Sequence, residues 1–457
     1  MRSTRIALLL ALSAVACAPT SVAAPTGPPT VTATPPVALR SVPVVLPTST
    51  PLTGLPARPE ATIAMPGWGL LPNSLEPGVL VLRTSFPTID DAGPGRPRAR
   101  LRSTRRTVDL VHLDIKANPS LGLLPPQWEG TLPLAGAKVG TDAVEIVVRL
   151  RDGSDVVAGE RRVTLSEPEY VVWTLDFEGD AASNETMDNT WDVARSFGVP
   201  MTIMWNPRVW TTDQVTPARA DAMAQWTKNI ASQGMAEVAL HLHAWTDFVR
   251  AAGVVPRTAP SWAGRSDGYD VPLTAFDESE TKKLLDHALA LMNDHGLPKP
   301  TTFRAGGLFA NAANLRAVAA AGFTVDTSAT PAGGFGRLLL PWTLPRDAQP
   351  YRPSRTDANV PGDLPLLEVP NIAGNTFSLD TRTIAPVIAA DLAMLAPAGQ
   401  PAASRRALTL VSHPGTVDAT ERTAIEALFR AFEPYRYDRD NGPVRFVTLT
   451  QLEKAFN

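Results

Sequence analysis

Residues 170–180 read YVVWTLDFEGD, a short apolar, β-branched and aromatic run that ends in Asp176, Glu178 and Asp180. A run of this length and composition reads as a strand buried on both faces. Similar runs follow it: PMTIMW, AEVALHLH, TTFRAG, FTVDTS, LLEVP, LTLVSH and VRFVTL. Amphipathic stretches lie between them, clearest at DESETKKLLDHALALMNDHG, ANLRAVAAAG and ATERTAIEALFRAF. Two of these close on glycine, as helix C-termini often do. Seven or eight βα units in succession predict a distorted (β/α)7–8 barrel over residues 170–457. Such a barrel carries its chemistry at the C-terminal ends of its strands.

Upstream, over residues 65–168, the period falls to two: GVLVLRTSF, TVDLVHLDIKA, AVEIVVRLRDG and RRVTLS, with turn residues between. This predicts a small all-β, immunoglobulin-like sandwich. Arg96, Arg98, Arg100 and Arg102 alternate there and share one face if the segment is a strand, either gripping an anionic polymer or charging an edge. Residues 18–60 are rich in Pro, Thr, Ala and Val, the composition of an extended spacer or a leader without structure.

Residues 1–17 carry Arg2 and Arg5 ahead of an apolar run from Ile6 to Ala16, long enough for an export signal and too short to span a bilayer. The single cysteine, Cys17, follows Ala14-Val15-Ala16 and resembles the lipidated residue of a bacterial lipoprotein signal. On that reading the protein is exported and anchored to a membrane of the cell envelope. Cleavage after Ala24 would instead release it. One cysteine excludes an internal disulfide, so the core alone must stabilise the fold. Of 457 residues 44% are hydrophobic and 19% charged, and 42 Lys and Arg stand against 45 Asp and Glu. That balance offers no basic surface for nucleic acid.

Polar residues recur at the ends of the predicted barrel strands: Asp176 and Glu178, His241 and His243, Arg304, Asp326, and His413. Residues i and i+2 of a strand share a face, so each acidic or histidine pair would point into the barrel mouth. Two imidazoles and a carboxylate are a common protein contribution to a catalytic zinc site. Each pair also has a structural reading, as hydrogen-bonded histidines or as a solvated turn and helix cap. The coincidence of several such strand ends favours a site.

The order of these motifs resembles that of the polysaccharide deacetylase family, also called the NodB-homology or carbohydrate esterase 4 group. The likeness spans about Tyr170 to Asn457. TLDFEG (174–179) stands at the first motif, EVALHLHAW at the second, and FRAGG, FTVDTSATP and LTLVSHPGTV at the third to fifth. It is similar to a variant subgroup with Asp-x-Glu and His-x-His motifs. The resemblance implies metal-dependent hydrolysis of acetyl groups, N-acetyl above all, from a cell-envelope or extracellular polysaccharide.

By the same resemblance Asp176 is the general base, and Glu178, His241 and His243 hold one divalent ion. The ion is Zn2+, with Co2+ or Ni2+ also compatible, and Asp180 is the reserve ligand. Phe177 and Trp245 occupy the positions of two usual ligands, which is why Glu178 and His243 are taken instead. Arg304 orients the base, His413 protonates the leaving amine, and Asp326 orients His413. Trp205, Trp245 and Trp262 are candidates to stack on sugar rings or to pack the barrel. Two rival functions remain open: a non-catalytic carbohydrate-binding envelope protein, and a glycoside hydrolase using Asp176 and Glu368. A third has the sandwich as an adhesive part that the barrel carries. The segment from Pro331 to Pro365 reads as a lid or an unstructured excursion.

Overall fold

The computed structural model describes residues 59–113 and 125–456. The signal segment, Cys17 and all but the last two residues of the 18–60 stretch lie outside the described residues. Residues 62–166 form two sheets. One orders Thr62–Ala64, Val79–Ser85, Gln127–Pro133 and Val111–Leu113, and the other Trp68–Leu70, Asp155–Ser166, Gly140–Arg149, Arg98–Leu101 and Thr107–Asp109. Alternation in VLVLRTS buries Leu80 and Leu82, which join Trp128, Leu132, Leu101, Val144, Ile146 and Leu165 in one core. The stretch TVDLVHL, read as one strand, is shared between the two sheets, with buried Leu110 at the crossing. One pair is parallel: Trp68–Leu70 runs alongside Thr164–Ser166.

The strand bearing Arg98 and Arg100 is not an edge, because it lies between two neighbours. Its arginines are neutralised across the sheet instead: Arg98 by Asp155, Arg100 by Glu145 at 2.7 Å, and Arg102 by Glu145 and Glu160. Neither a free polymer grip nor edge protection describes them.

The parallel sheet that follows contains all eight expected strands. They are β1 (Glu169–Asp176), β2 (Met201–Trp205), β3 (Ala236–Leu242), β4 (Thr302–Ala305), β5 (Val325–Asp326), β6 (Leu367–Glu368), β7 (Arg406–Ser412) and β8 (Val444–Phe446). Their order is β6-β5-β4-β3-β2-β1-β7, with β8 beside the first half of β1. The sheet curls without closing between β6 and β7, where Asn375 makes a single parallel bridge to Val411. Every residue of β1 is buried, as expected of a strand covered on both faces.

Parity along β1 sorts the two sides. Tyr170 and Val172 point to an inner core with Met204, Ala239, Val325 and Leu367, closed below by Leu449, Leu452 and Ala455 of the last helix. Val171, Trp173 and Leu175 point outward to the helices. Thr174 and Asp176 continue the inner row, so Asp176 faces the mouth.

The outer helices include α1 (Asn184–Phe197), α2 (Pro217–Ser232), α3 (Glu278–Asp294), α4 (Ala312–Ala320) and, after β7, α5 (Ala419–Phe432). Their starts are set by caps: Ser183 for α1, capping boxes at Asp277 and Asn311, and Asp418 for α5. Sandwich and barrel are in direct contact. Asp440 accepts from the Gly67 and Trp68 amides at 2.8 and 3.0 Å, and Tyr170 bonds Asn73 and Glu76.

The Pro331–Pro365 segment is built rather than unstructured. It contains the hairpin Gly334–Phe335/Leu338–Leu339, bridges Pro331 to Leu344 and Tyr351 to Glu368, and inserts Trp342, whose Nε1 donates to Leu308 O at 2.7 Å.

Candidate active site

Strand register brings the polar ends to one level. Leu175 pairs with Ser412, which sets Asp176 beside His413, and His241 pairs with Arg304. Glu178 lies two residues past the end of β1 and His243 one past β3.

The ligand atoms of Glu178, His241 and His243 lie within 4.8 Å of one another. Glu178 Oε2 is 2.5 Å from His243 Nε2, and its Oε1 is 3.7 Å from His241 Nε2. His241 Nδ1 meets the Arg304 carbonyl at 3.2 Å, so that nitrogen carries the proton and Nε2 offers its lone pair to the cluster. His241 Nε2 and both ring nitrogens of His243 are buried yet make no hydrogen bond. Buried polar atoms are normally satisfied. The two Nε2 atoms that face the Glu178 carboxylate make a donor set that fits a divalent cation. Burial works to raise the Glu178 pKa, but the imidazoles of His243, His241 and His413 beside it hold it well below the usual carboxylate range.

Gly306 makes this packing possible. A Cβ there would sit 2.3 Å from His243 Nδ1.

Asp176 is 5% exposed and is gripped by the fully buried Arg304. Arg304 Nη1 donates to Asp176 Oδ1 at 2.6 Å and to Thr174 Oγ1 at 2.8 Å. Its other donors go to Thr327 O at 3.1 Å and Asn371 Oδ1 at 2.6 Å. One planar fork thus fixes the carboxylate and is itself fixed. Asp176, Glu178 and His413 form a second close group, but the Arg304 contact engages Asp176 and makes it the poorer ligand.

His413 Nε2 stands 3.2 Å from Glu178 Oε1. Burial opposes its protonation, yet the hydrogen bond and charge of Glu178, joined by Asp176 and Glu421, raise its pKa on balance.

Several expected placements change. Asp326 does not serve His413: its carboxylate accepts from Ser328 N and Oγ at 3.0 and 2.9 Å and is paired with Glu368, both acids being fully buried. Burial and the Asp326 charge push Glu368 well above the usual range. Asp180 is no spare ligand, since Arg208 Nη1 holds it at 2.7 Å and the Tyr269 hydroxyl at 3.2 Å. The helix after it is capped by Ser183 instead. Trp205 has no exposure and packs outward against Phe177 and Trp210, ring centroids 5.2 and 5.3 Å away. Trp245 and Trp262 do line the cleft, a space of about 560 Å³ shared with Leu308, Phe335 and Phe377. Trp262 stacks on Phe309 and meets Phe335 edge-on.

Four residues with work at this site escape sequence reading: Asn371 and Thr327 behind Arg304, Glu421 behind His413, and Arg208. Asn371 and Arg208 follow strand ends, β6 and β2, as the recognised groups do, and that position was the available signal.

No protein-family model and no curated protein matches the sequence. Solved structures do. One is a polysaccharide deacetylase by provisional description from Mycobacterium smegmatis, at 16% identity and TM-score 0.40, covering 63% of this chain and 89% of that one. A family 4 carbohydrate esterase from Streptomyces lividans, in complex with acetate, has 12% identity and TM-score 0.31, with 58% and 88% covered. The peptidoglycan deacetylase PdaC from Bacillus subtilis has 11% identity and TM-score 0.31, with 63% and 92% covered. The chain is similar to these structures at low identity. The chemistry of its site rests on its own geometry.

Proposed function

We propose that this protein is a metal-dependent polysaccharide deacetylase that hydrolyses acetyl groups, N-acetyl above all, on a cell-envelope or extracellular glycan. The observation that carries the reading is the pairing of two half-sites in one cleft. A carboxylate and two imidazoles converge with unsatisfied nitrogens, and beside them lie the arginine-gripped Asp176 and His413.

Glu178, His241 and His243 would hold the cation. When bound, it supplies Lewis acidity toward the acetyl carbonyl. Asp176 accepts the proton of the attacking water, and Arg304 keeps its carboxylate oriented. His413 gives a proton to the departing sugar amine, so acetate and a free amine leave. Trp262, with Phe335 and Phe377, offers apolar faces of the kind that pack on pyranose rings.

The glycosidase alternative takes Glu368 as its second carboxylate, and Glu368 is fully buried against Asp326 and does not line the cleft. Export and lipid attachment at Cys17 are part of the proposal and rest on the leader sequence alone.

The test is acetate release by the zinc-loaded protein from N-acetylated chito-oligosaccharides and from an O-acetylated xylan. Release from the first supports the reading, release from the second alone changes the bond, and release from neither rejects it.

A further inference from the structure

Arg208 is a fully buried guanidinium outside the catalytic set, and most of its hydrogen bonds go to loops that carry the proposed metal ligands. Asn206 caps the short turn it sits in, accepting from the Arg208 amide at 3.1 Å. The side chain then spans two strand ends. Toward β1, Nη1 donates to Gly179 O at 3.1 Å and Asp180 Oδ1 at 2.7 Å. Toward β3, Nε and Nη2 donate to the two oxygens of Asp247 at 2.8–3.0 Å. Nη2 also donates to Gln214 Oε1 at 2.8 Å. Gly179 directly follows Glu178, and Asp247 lies four residues beyond His243.

A second route runs through rings. The guanidinium carbon lies 4.9 Å from the Trp245 centroid and 5.2 Å from that of Tyr269. Trp245 in turn meets the His243 imidazole edge-on at 4.8 Å. The same cation thus backs the peptide next to the acidic ligand and the indole next to an imidazole ligand.

We infer that Arg208 is the positioning residue of the metal centre, clamping the ends of β1 and β3 so that Glu178 and His243 keep a fixed bite. The inference rests on the proposed site. Groups behind metal ligands typically change affinity by about 10- to 100-fold when removed. Lysine cannot replace the planar fork, because a single ammonium cannot reach Gly179 O, Asp180 and Asp247 together.

The test measures affinity of the full, metal-free protein for Zn2+ by competition with a chromophoric chelator, and records the Co2+ absorption spectrum. Variants are Arg208→Lys, Asp247→Asn, and Arg436→Lys as a control. Arg436 is also buried and ion-paired, with Glu433 and Asp438, away from the cleft. The expected result is a 10- to 100-fold loss of Zn2+ affinity and an altered Co2+ spectrum in Arg208→Lys. Asp247→Asn should show a smaller loss in the same direction, and decides the matter if Arg208→Lys does not fold. Arg436→Lys should lower the melting temperature and keep wild-type affinity. Unchanged affinity in Asp247→Asn and Arg208→Lys, or equal losses in Arg208→Lys and Arg436→Lys, overturns the inference. A wild-type protein that binds no Zn2+ removes the proposed site itself, and the inference with it.

Discussion

The Nδ1–H of His241 donates a hydrogen bond to the carbonyl of Arg304, 3.2 Å away, while the side chain of that same arginine grips Asp176. One residue therefore serves both halves of the site. Its backbone sets the tautomer of a ligand, and its guanidinium sets the orientation of the base. The β3–β4 register places His241 opposite Arg304, so the coupling is written into strand pairing.

Asn371 completes the Arg304 fork, accepting from Nη2 at 2.6 Å and donating to Thr327 O and Ala329 O. Asn371→Ala leaves Nη2 only a 3.3 Å contact with Thr327 Oγ1. Misplacing a base by a fraction of an ångström is costly, so kcat should fall about 10- to 100-fold. KM and metal content should stay near wild type, as steady-state kinetics with metal analysis would check.

Gly306 is required by a neighbour rather than by its own backbone. Gly306→Ala drives a methyl against the His243 ring, which must turn from Glu178. Zinc affinity should drop at least about 10-fold by chelator competition, with the far-ultraviolet dichroism unchanged.

The tryptophans should separate by kinetics and stability. Trp262→Ala removes part of the cleft wall and should raise KM severalfold while the fold survives. Trp205→Ala empties a fully buried site and should cost about 3–5 kcal/mol in denaturant unfolding. A Trp205→Ala variant of normal stability with a raised KM would return that residue to the cleft.

Two carboxyls away from the site predict the pH dependence of stability. Burial pushes Glu169 from 4.5, and Asp391 from 3.8, up to about 7. Each has one buried oxygen without a partner. A carboxyl with a raised folded-state value holds its proton better folded than unfolded. It therefore costs nothing below the unfolded value and lowers stability as pH rises to about 7, by on the order of 1–3 kcal/mol each. The melting temperature should fall between about pH 4 and pH 7. Glu169→Gln and Asp391→Asn should flatten that slope, and a slope unchanged in both would contradict the assignment.

The barrel was legible because most of its strands are buried on both faces and five of them end in a polar group, so composition marked the eight. The reading failed where parity was not carried through. Trp205 shares its face with Met201 and Ile203, which point to the helices, whereas Met204 points inward. Asp326 ended a strand like the others, but the carboxyl across from it, Glu368, lies in register and turns the two acids into a buried pair. Asn371 and Arg208 act over 67 and 39 residues of chain, contacts that no local pattern records. The arginine stripe looked like an edge because its acidic partners come from strands roughly 45 to 60 residues away.

The most direct test compares Asp176→Asn with His241→Ala and His243→Ala, measuring bound zinc and acetate release together on acetylated chito-oligosaccharides. The account predicts about one zinc per chain in the wild type and in Asp176→Asn, with acetate release lost only in the latter. Both histidine variants should lose zinc and release together. Zinc retained in the histidine variants, or release retained in Asp176→Asn, would contradict it.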